Sequence, residues 1–210
     1  MIRELSVQNI SARCTPSSFN IGSFRDEIKD FSYTFKSGCV YGIIGQPGQG
    51  AWALSYLLTG QIKRYSGKIL ADETIVNPQW LESNSMYIGE ELPRNRWLRG
   101  SNRTIRQQLM DGSSSYTVGE IVELLELSPS RLDRTIKQIS NERWNASVGI
   151  GLAHQKVAYC FPWFNADFKE INRARLSLCS NVLKTQKTIT IIPSDETSNL
   201  ENIADEFIYI

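Results

Sequence analysis

Unbroken hydrophobic runs are few in this chain, and they set its frame. Residues 40–44 (VYGII) and 188–192 (TITII) have the length and β-branched content of strands buried on both faces. Residues 157–161 (VAYCF) form a further strand candidate, closed by Pro162. Earlier segments alternate: 2–10 reads as a strand, as does 28–35, where Phe31, Tyr33 and Phe35 share one side. Lys36, Ser37 and Gly38 then turn the chain into the run at 40–44. Ser66 and Gly67 introduce a small hairpin, 68–70 with 74–76, and a short strand follows at 85–89. Helical spacing predicts helices at 51–58, 118–127 and 168–183, with shorter helical pieces at 132–139 and 146–153, the last weakened by Gly149 and Gly151. Residues 203–210 close the chain, and there is no internal repeat. Strands alternating with helices predict an α/β fold. It divides into a β-rich first part (1–93), an inserted helical subdomain (94–153) and a returning α/β core (154–210), with a polar link at 111–115.

Between the strand at 40–44 and the helix at 51–58 lies a glycine-rich turn: Gly45, Gln46, Pro47, Gly48, Gln49 and Gly50. Strand, glycine loop and helix in that order are the context of a phosphate-binding loop, G-x-x-x-x-G-K-[ST]. Ala51 stands where that loop needs a lysine on the β- and γ-phosphates, and Trp52 where it needs a hydroxyl on Mg²⁺. Backbone N–H groups and the helix dipole would still attract an anion. A chance glycine-rich turn would explain the loop taken alone.

Composition narrows the partners. Lys+Arg of 23 against Asp+Glu of 22 gives a net charge of +1, which offers no global attraction to nucleic acid or an acidic membrane. Charge is local instead: Arg94, Arg96, Arg99, Arg103 and Arg106 crowd a charged stretch with Trp97 and Leu98. Cys14, Cys39, Cys160 and Cys179 lack C-x-x-C spacing, so reduced thiols in a cytosolic protein are expected. The start, MIRELSVQNI, lacks the apolar core of a signal peptide, and no run reaches membrane-spanning length.

In this order the segments resemble the ATP-binding subunit of ABC transporters over nearly the whole chain. FSYTFKSGCVYGIIGQPGQG and LSYLLTGQIKRYSGKI follow that family from its second strand through the P-loop helix to the hairpin beyond. TIRQQL (104–109) resembles the segment after the Q-loop, and DRTIKQIS (133–140) the lead-in to the signature motif. NADFKE (165–170) resembles the D-loop, and KTITIIPSDE (187–196) the strand carrying the switch histidine. The resemblance implies an ABC-type nucleotide-binding domain with an N-terminal antiparallel β part and an inserted helical subdomain. It also implies that the region of the arginine cluster faces the groove for a membrane subunit's coupling helix.

The residues that carry the family's chemistry are replaced. Glu90 stands at the Q-loop glutamine, and Ile139, Ser140, Asn141, Glu142 and Arg143 at leucine-serine-glycine-glycine-glutamine. Phe161 and Pro162 stand at the Walker B carboxylates, and Ser194 at the switch histidine. Asn141 adds bulk and Glu142 a like charge facing a partner's nucleotide. Taken singly, Ser140 and Asn141 could be a helix N-cap, and Asp195 with Glu196 a solvated pair. His154, the only histidine, falls outside the motifs and reads as a surface or packing residue. Together the losses imply a chain without ATP hydrolysis, with ATP bound weakly or not at all. Its implied role is docking or regulation in a membrane export complex for polysaccharide or peptide. Its implied partners are an integral-membrane subunit and a second cassette subunit at the inner face of the cell membrane, with no nucleic acid. The alternative is a hydrolysing subunit that draws its metal ligand from Glu90, Asp167 or Asp195. Trp52 is expected to pack with Phe161, Pro162 and Trp163 as an aromatic plug in the old nucleotide site.

Overall fold

A computed structural model describes residues 2–18, 22–89, 103–164 and 170–210. Two sheets dominate it. β1 (Glu4–Cys14) lies between β4 (Asp26–Lys36) and β6 (Ser66–Ala71), antiparallel to both, and β7 (Thr74–Ile75) extends the sheet in the order β4-β1-β6-β7. The connection from β1 to β4 carries a two-residue ladder, β2 (Ser17–Ser18) with β3 (Gly22–Ser23). The second sheet is parallel, in the order β11-β5-β10-β9-β8. Its members are β5 (Cys39–Ile44), β8 (Ser85–Tyr87), β9 (Ala158–Cys160), β10 (Ile189–Ser194) and β11 (Glu206–Tyr209).

Period-two alternation along the parallel strands assigns their side chains to two cores. Tyr41 and Ile43 of β5, with Ile189 and Ile191 of β10, join helix α1 (Ala51–Leu58) and the antiparallel sheet in one core. Val40, Ile44 and Ile192 face the other, with helices α3 (Ile105–Met110), α5 (Arg143–Ala153) and α6 (Glu170–Thr185). Every described position of β10 is buried, as its unbroken run predicts.

Element boundaries depart from the sequence reading where local capping overrides hydrophobic spacing. The helix expected at 118–127 ends as α4 (Val118–Leu124), and the piece expected at 132–139 holds only a 3-10 turn, Ile136–Gln138, with a second, Pro129–Arg131, just before it. Thr135 and Gln138 form their own capping box, which restarts the chain in mid-segment. α5 begins at Arg143, three residues before the expected piece. α2 (Pro78–Asn84) and α3 are additional: α2 buries only Leu81, so it has no apolar stripe to recognise. Asn77 caps α2 through the Trp80 N–H at 2.8 Å, with Pro78 opening the first turn.

Gly60 ends α1 with φ +72°, and a Cβ there would lie 2.4 Å from the Pro78 carbonyl oxygen and 2.6 Å from the Glu82 nitrogen. Gly119 in α4 meets nothing nearer than the Thr117 hydroxyl at 3.9 Å. Gly60→Ala is therefore expected to cost about 2–4 kcal/mol, from left-handed strain plus overpacking. Gly119→Ala should gain about 0.5–1 kcal/mol. Urea unfolding of both variants checks the opposite signs.

Candidate functional site

The carboxyl ends of β5, β9 and β10 converge where open parallel sheets place ligands. The Gly45 N–H donates to the Ser194 carbonyl at 3.1 Å, and the Phe164 N–H to the Pro193 carbonyl at 2.9 Å. The loop from Gly45 to Gly50 thus sits against the ends of the neighbouring strands. It closes on itself: the Gln49 N–H reaches the Gln46 carbonyl at 3.0 Å, and the Gln49 side-chain oxygen accepts from the Gln46 N–H. Pro47 and Gly48 form its tip, and Gly50 adopts φ +110° where a Cβ would lie 2.7 Å from that of Ile28.

The loop's outward N–H groups are taken by a side chain that the sequence reading passed over. Asp26, fully buried at the start of β4, accepts from Gly48 at 2.8 Å and Gly50 at 3.1 Å through Oδ1. Its Oδ2 accepts from the Ala53 N–H at 2.7 Å. A carboxylate in a cradle of loop amides at a helix N-terminus is placed as a phosphate would be. The only hint in the sequence was an aspartate two residues before an apolar alternation, lost in a polar linker.

Trp52 is buried, and its indole stacks on Trp163 with ring centroids 4.9 Å apart and an interplanar angle of 19°. Phe24 meets it edge-on at 5.2 Å, and its Nε1–H donates to the Tyr87 hydroxyl at 3.2 Å. Phe161, expected beside it, instead faces the other core and meets Trp144 edge-on at 5.8 Å. Strand alternation is the cause: Cys160 points to the core of Trp52 and Phe161 away from it. Pro162 is half-buried.

The remaining motif positions serve local structure. Glu142 does not project as a free charge: its carboxylate accepts from the Ser128 N–H at 2.8 Å and hydroxyl at 2.6 Å. Ser140 and Asn141 are exposed just before α5, whose N-cap is Glu142, so neither caps that helix. Ser194 is fully buried and takes part in the turn after β10, accepting from the Asn199 side-chain amide at 3.2 Å. That amide also donates to Asp195 at 2.8 Å, so Asp195 is a turn residue rather than half of a solvated pair with Glu196. Glu90 and Asp167 lie outside the described residues, as do Arg94, Arg96 and Arg99. Arg103 pairs with Asp111, and Arg106 with Asp133 at 2.8 Å, so this part of the arginine cluster is tied to its own fold. Among the described residues no group of three or more His, Cys, Asp or Glu could hold a metal ion. All four cysteines are free, and burial pushes the Cys179 thiol up to about 12.

His154 bonds the Gln108 carbonyl at 3.0 Å. Burial, with Lys156 and Arg103 nearby, holds its pKa below the usual 6.5, against the pull of that carbonyl. The folded state then prefers the neutral ring, so its contribution is full above pH 6.5 and is lost as pH falls towards the lower folded value. Replacing His154 with Gln is expected to flatten the loss of urea stability between pH 7 and about pH 5.

Among the described residues, two sheets flank the glycine loop, and α3, α4 and α5 lie between β8 and β9. No protein-family model and no curated protein matches the sequence. Solved structures do. A dimeric bacterial ABC transporter cassette, MJ0796, is similar at TM-score 0.66 and 11% identity over 98% of this chain and 94% of its own. A nucleotide-free ATP-binding cassette from an ABC transporter is similar at 0.64 and 16%, over 100% and 88%. A bacterial Atm1-family ABC exporter with ATP bound gives 0.63 and 15% over all of this chain, which spans 37% of that exporter. The fold is that of an ABC transporter nucleotide-binding cassette.

Proposed function

We propose that this chain is a cassette-fold subunit that neither binds nor hydrolyses ATP productively. In this reading it acts as a docking or regulatory part of a membrane export complex, for polysaccharide or peptide. The observation that carries it is the Asp26 carboxylate on the Gly48, Gly50 and Ala53 amides. Those donors have no capacity left for a phosphate, and a buried anion there repels another. The residues at the loop do not fit Mg-ATP in other respects: Ala51 brings no countercharge, and the Trp52–Trp163 stack fills the place of the metal-binding hydroxyl. The cassette fold supports an integral-membrane subunit and a second cassette as partners, with the chain held at the inner face of the membrane. Among the described residues no helix is long and apolar enough to cross a membrane.

Equilibrium dialysis of the purified chain with Mg-ATP, with phosphate release followed alone and beside a membrane partner, tests the reading. No release is expected, and no saturable binding at the loop 45–50 as read from its amide NMR shifts. Micromolar binding with turnover would overturn it in favour of a hydrolysing subunit.

A further inference from the structure

A second anion-receptive feature lies at the opposite end of the parallel sheet. Val157 and Thr188, just before β9 and β10, help line a cleft of about 740 Å³. Its other walls are the loop at 113–116 between α3 and α4, the end of α5 and the turn after α6. We propose that this cleft binds a small phosphorylated metabolite of sugar-phosphate or nucleotide size. Its volume falls within the roughly 300–1,000 Å³ of small-molecule sites.

The walls are tied to one another before any ligand arrives. The Tyr116 hydroxyl donates to Gln186 Oε1 at 2.7 Å, joining the loop to the turn after α6. Gln155 Nε2 donates to the Ser113 carbonyl at 2.7 Å, and the Ser114 N–H to the Ala153 carbonyl at 3.0 Å, fixing the loop to the end of α5. Gly112 packs so closely that a Cβ would lie 2.3 Å from the Ala153 oxygen. A preformed cleft spares a ligand the cost of ordering its site.

The lining has no carboxylate and two lysines. Lys187 is exposed on a left-handed turn, φ +54°, and its ammonium has no hydrogen bond or ion pair among the described residues. Lys156 is buried, its ammonium on the Glu82 carbonyl at 3.1 Å and on the Ser83 carbonyl, which leaves one of its three hydrogens. Burial lowers its pKa against the pull of the nearby Glu82 carboxylate, so an anion in the cleft would stabilise it further. The Ser114 and Ser115 hydroxyls have no hydrogen bond among the described residues, and the tie from Tyr116 leaves the Gln186 amide N–H groups as donors. Ammonium, hydroxyl and amide donors around one space match the three oxygens and near-double charge of a phosphoryl group better than a planar carboxylate. Tyr116, Leu152 and Val157 supply apolar wall for the rest of the molecule.

Amide NMR of the full chain, titrated with inorganic pyrophosphate and separately with citrate, tests this. Pyrophosphate should give saturable shifts at 113–116 and 186–188, with citrate at least about tenfold weaker. Lys187→Glu, and independently Ser114→Asp, should weaken pyrophosphate by about tenfold or more while leaving the rest of the spectrum native. No saturable shifts, shifts confined to 45–50, unchanged affinity in both variants, or citrate binding as tightly as pyrophosphate would each overturn the proposal.

Discussion

Replacing Trp52 with alanine is expected to lower stability by about 3–5 kcal/mol, the usual cost of truncating a buried large aromatic. At about 2–4 °C per kcal/mol for a chain of this size, the melting temperature should drop by roughly 6–20 °C. The loss combines the stack on Trp163, the Phe24 edge contact and the bond to Tyr87, whose hydroxyl loses a donor. Trp163→Ala should cost a similar amount. The double variant should lose about 0.5–1.5 kcal/mol less than the sum, because the stack can be removed only once. Trp144→Ala, in the other core, should add to Trp52→Ala without coupling. Thermal and urea unfolding of the native chain, the three single variants and the two double variants check this. A Trp52→Ala variant that melts with the native chain would show that the indole packs on nothing that matters.

Much of the fold was legible because the strongest signals were local. The runs at 40–44 and 188–192 read as candidates for buried strands, and both are strands in the parallel sheet. The antiparallel sheet was readable from alternation, although β1 extends to Cys14 because β4 pairs with it beyond the last β6 pair at Ser11. The failures have the opposite cause. α2 and the turns at 129–138 are set by caps and by a single buried side chain, and such elements carry no period. At the site, a position in a motif fixed the backbone but not the direction of a side chain. Glu142 turned to Ser128, and Phe161 took the other face of its strand. Asp26 is the clearest case: its partners Gly48, Gly50 and Ala53 are 22 to 27 residues away, and no pattern along the chain joins them.

That pairing supports the most discriminating result expected of this chain. Asp26→Ala removes one carboxylate and leaves three N–H groups of the loop without an acceptor. Unmade buried bonds of this kind cost about 1–3 kcal/mol each, and water entering the vacated space would recover part. A net loss of about 2–4 kcal/mol is expected. The vacated amides then form an anion cradle at the start of α1. Inorganic phosphate at about 100 times its dissociation constant for the vacated cradle should stabilise the variant by about 2.7 kcal/mol more than the native chain, any binding in the cleft at 113–116 being common to both. Asp26→Asn should fall between the two, because its single oxygen can serve Gly48 and Gly50 while its NH₂ faces the Ala53 N–H. Phosphate release from ATP should stay absent in every variant, since emptying the cradle restores neither lysine nor metal-binding hydroxyl. The decisive comparison is thermal stability with and without phosphate for native chain and Asp26→Ala. If phosphate or Mg-ATP stabilises both equally, the carboxylate does not hold the phosphate position, and the internal anion cannot be what silences the loop.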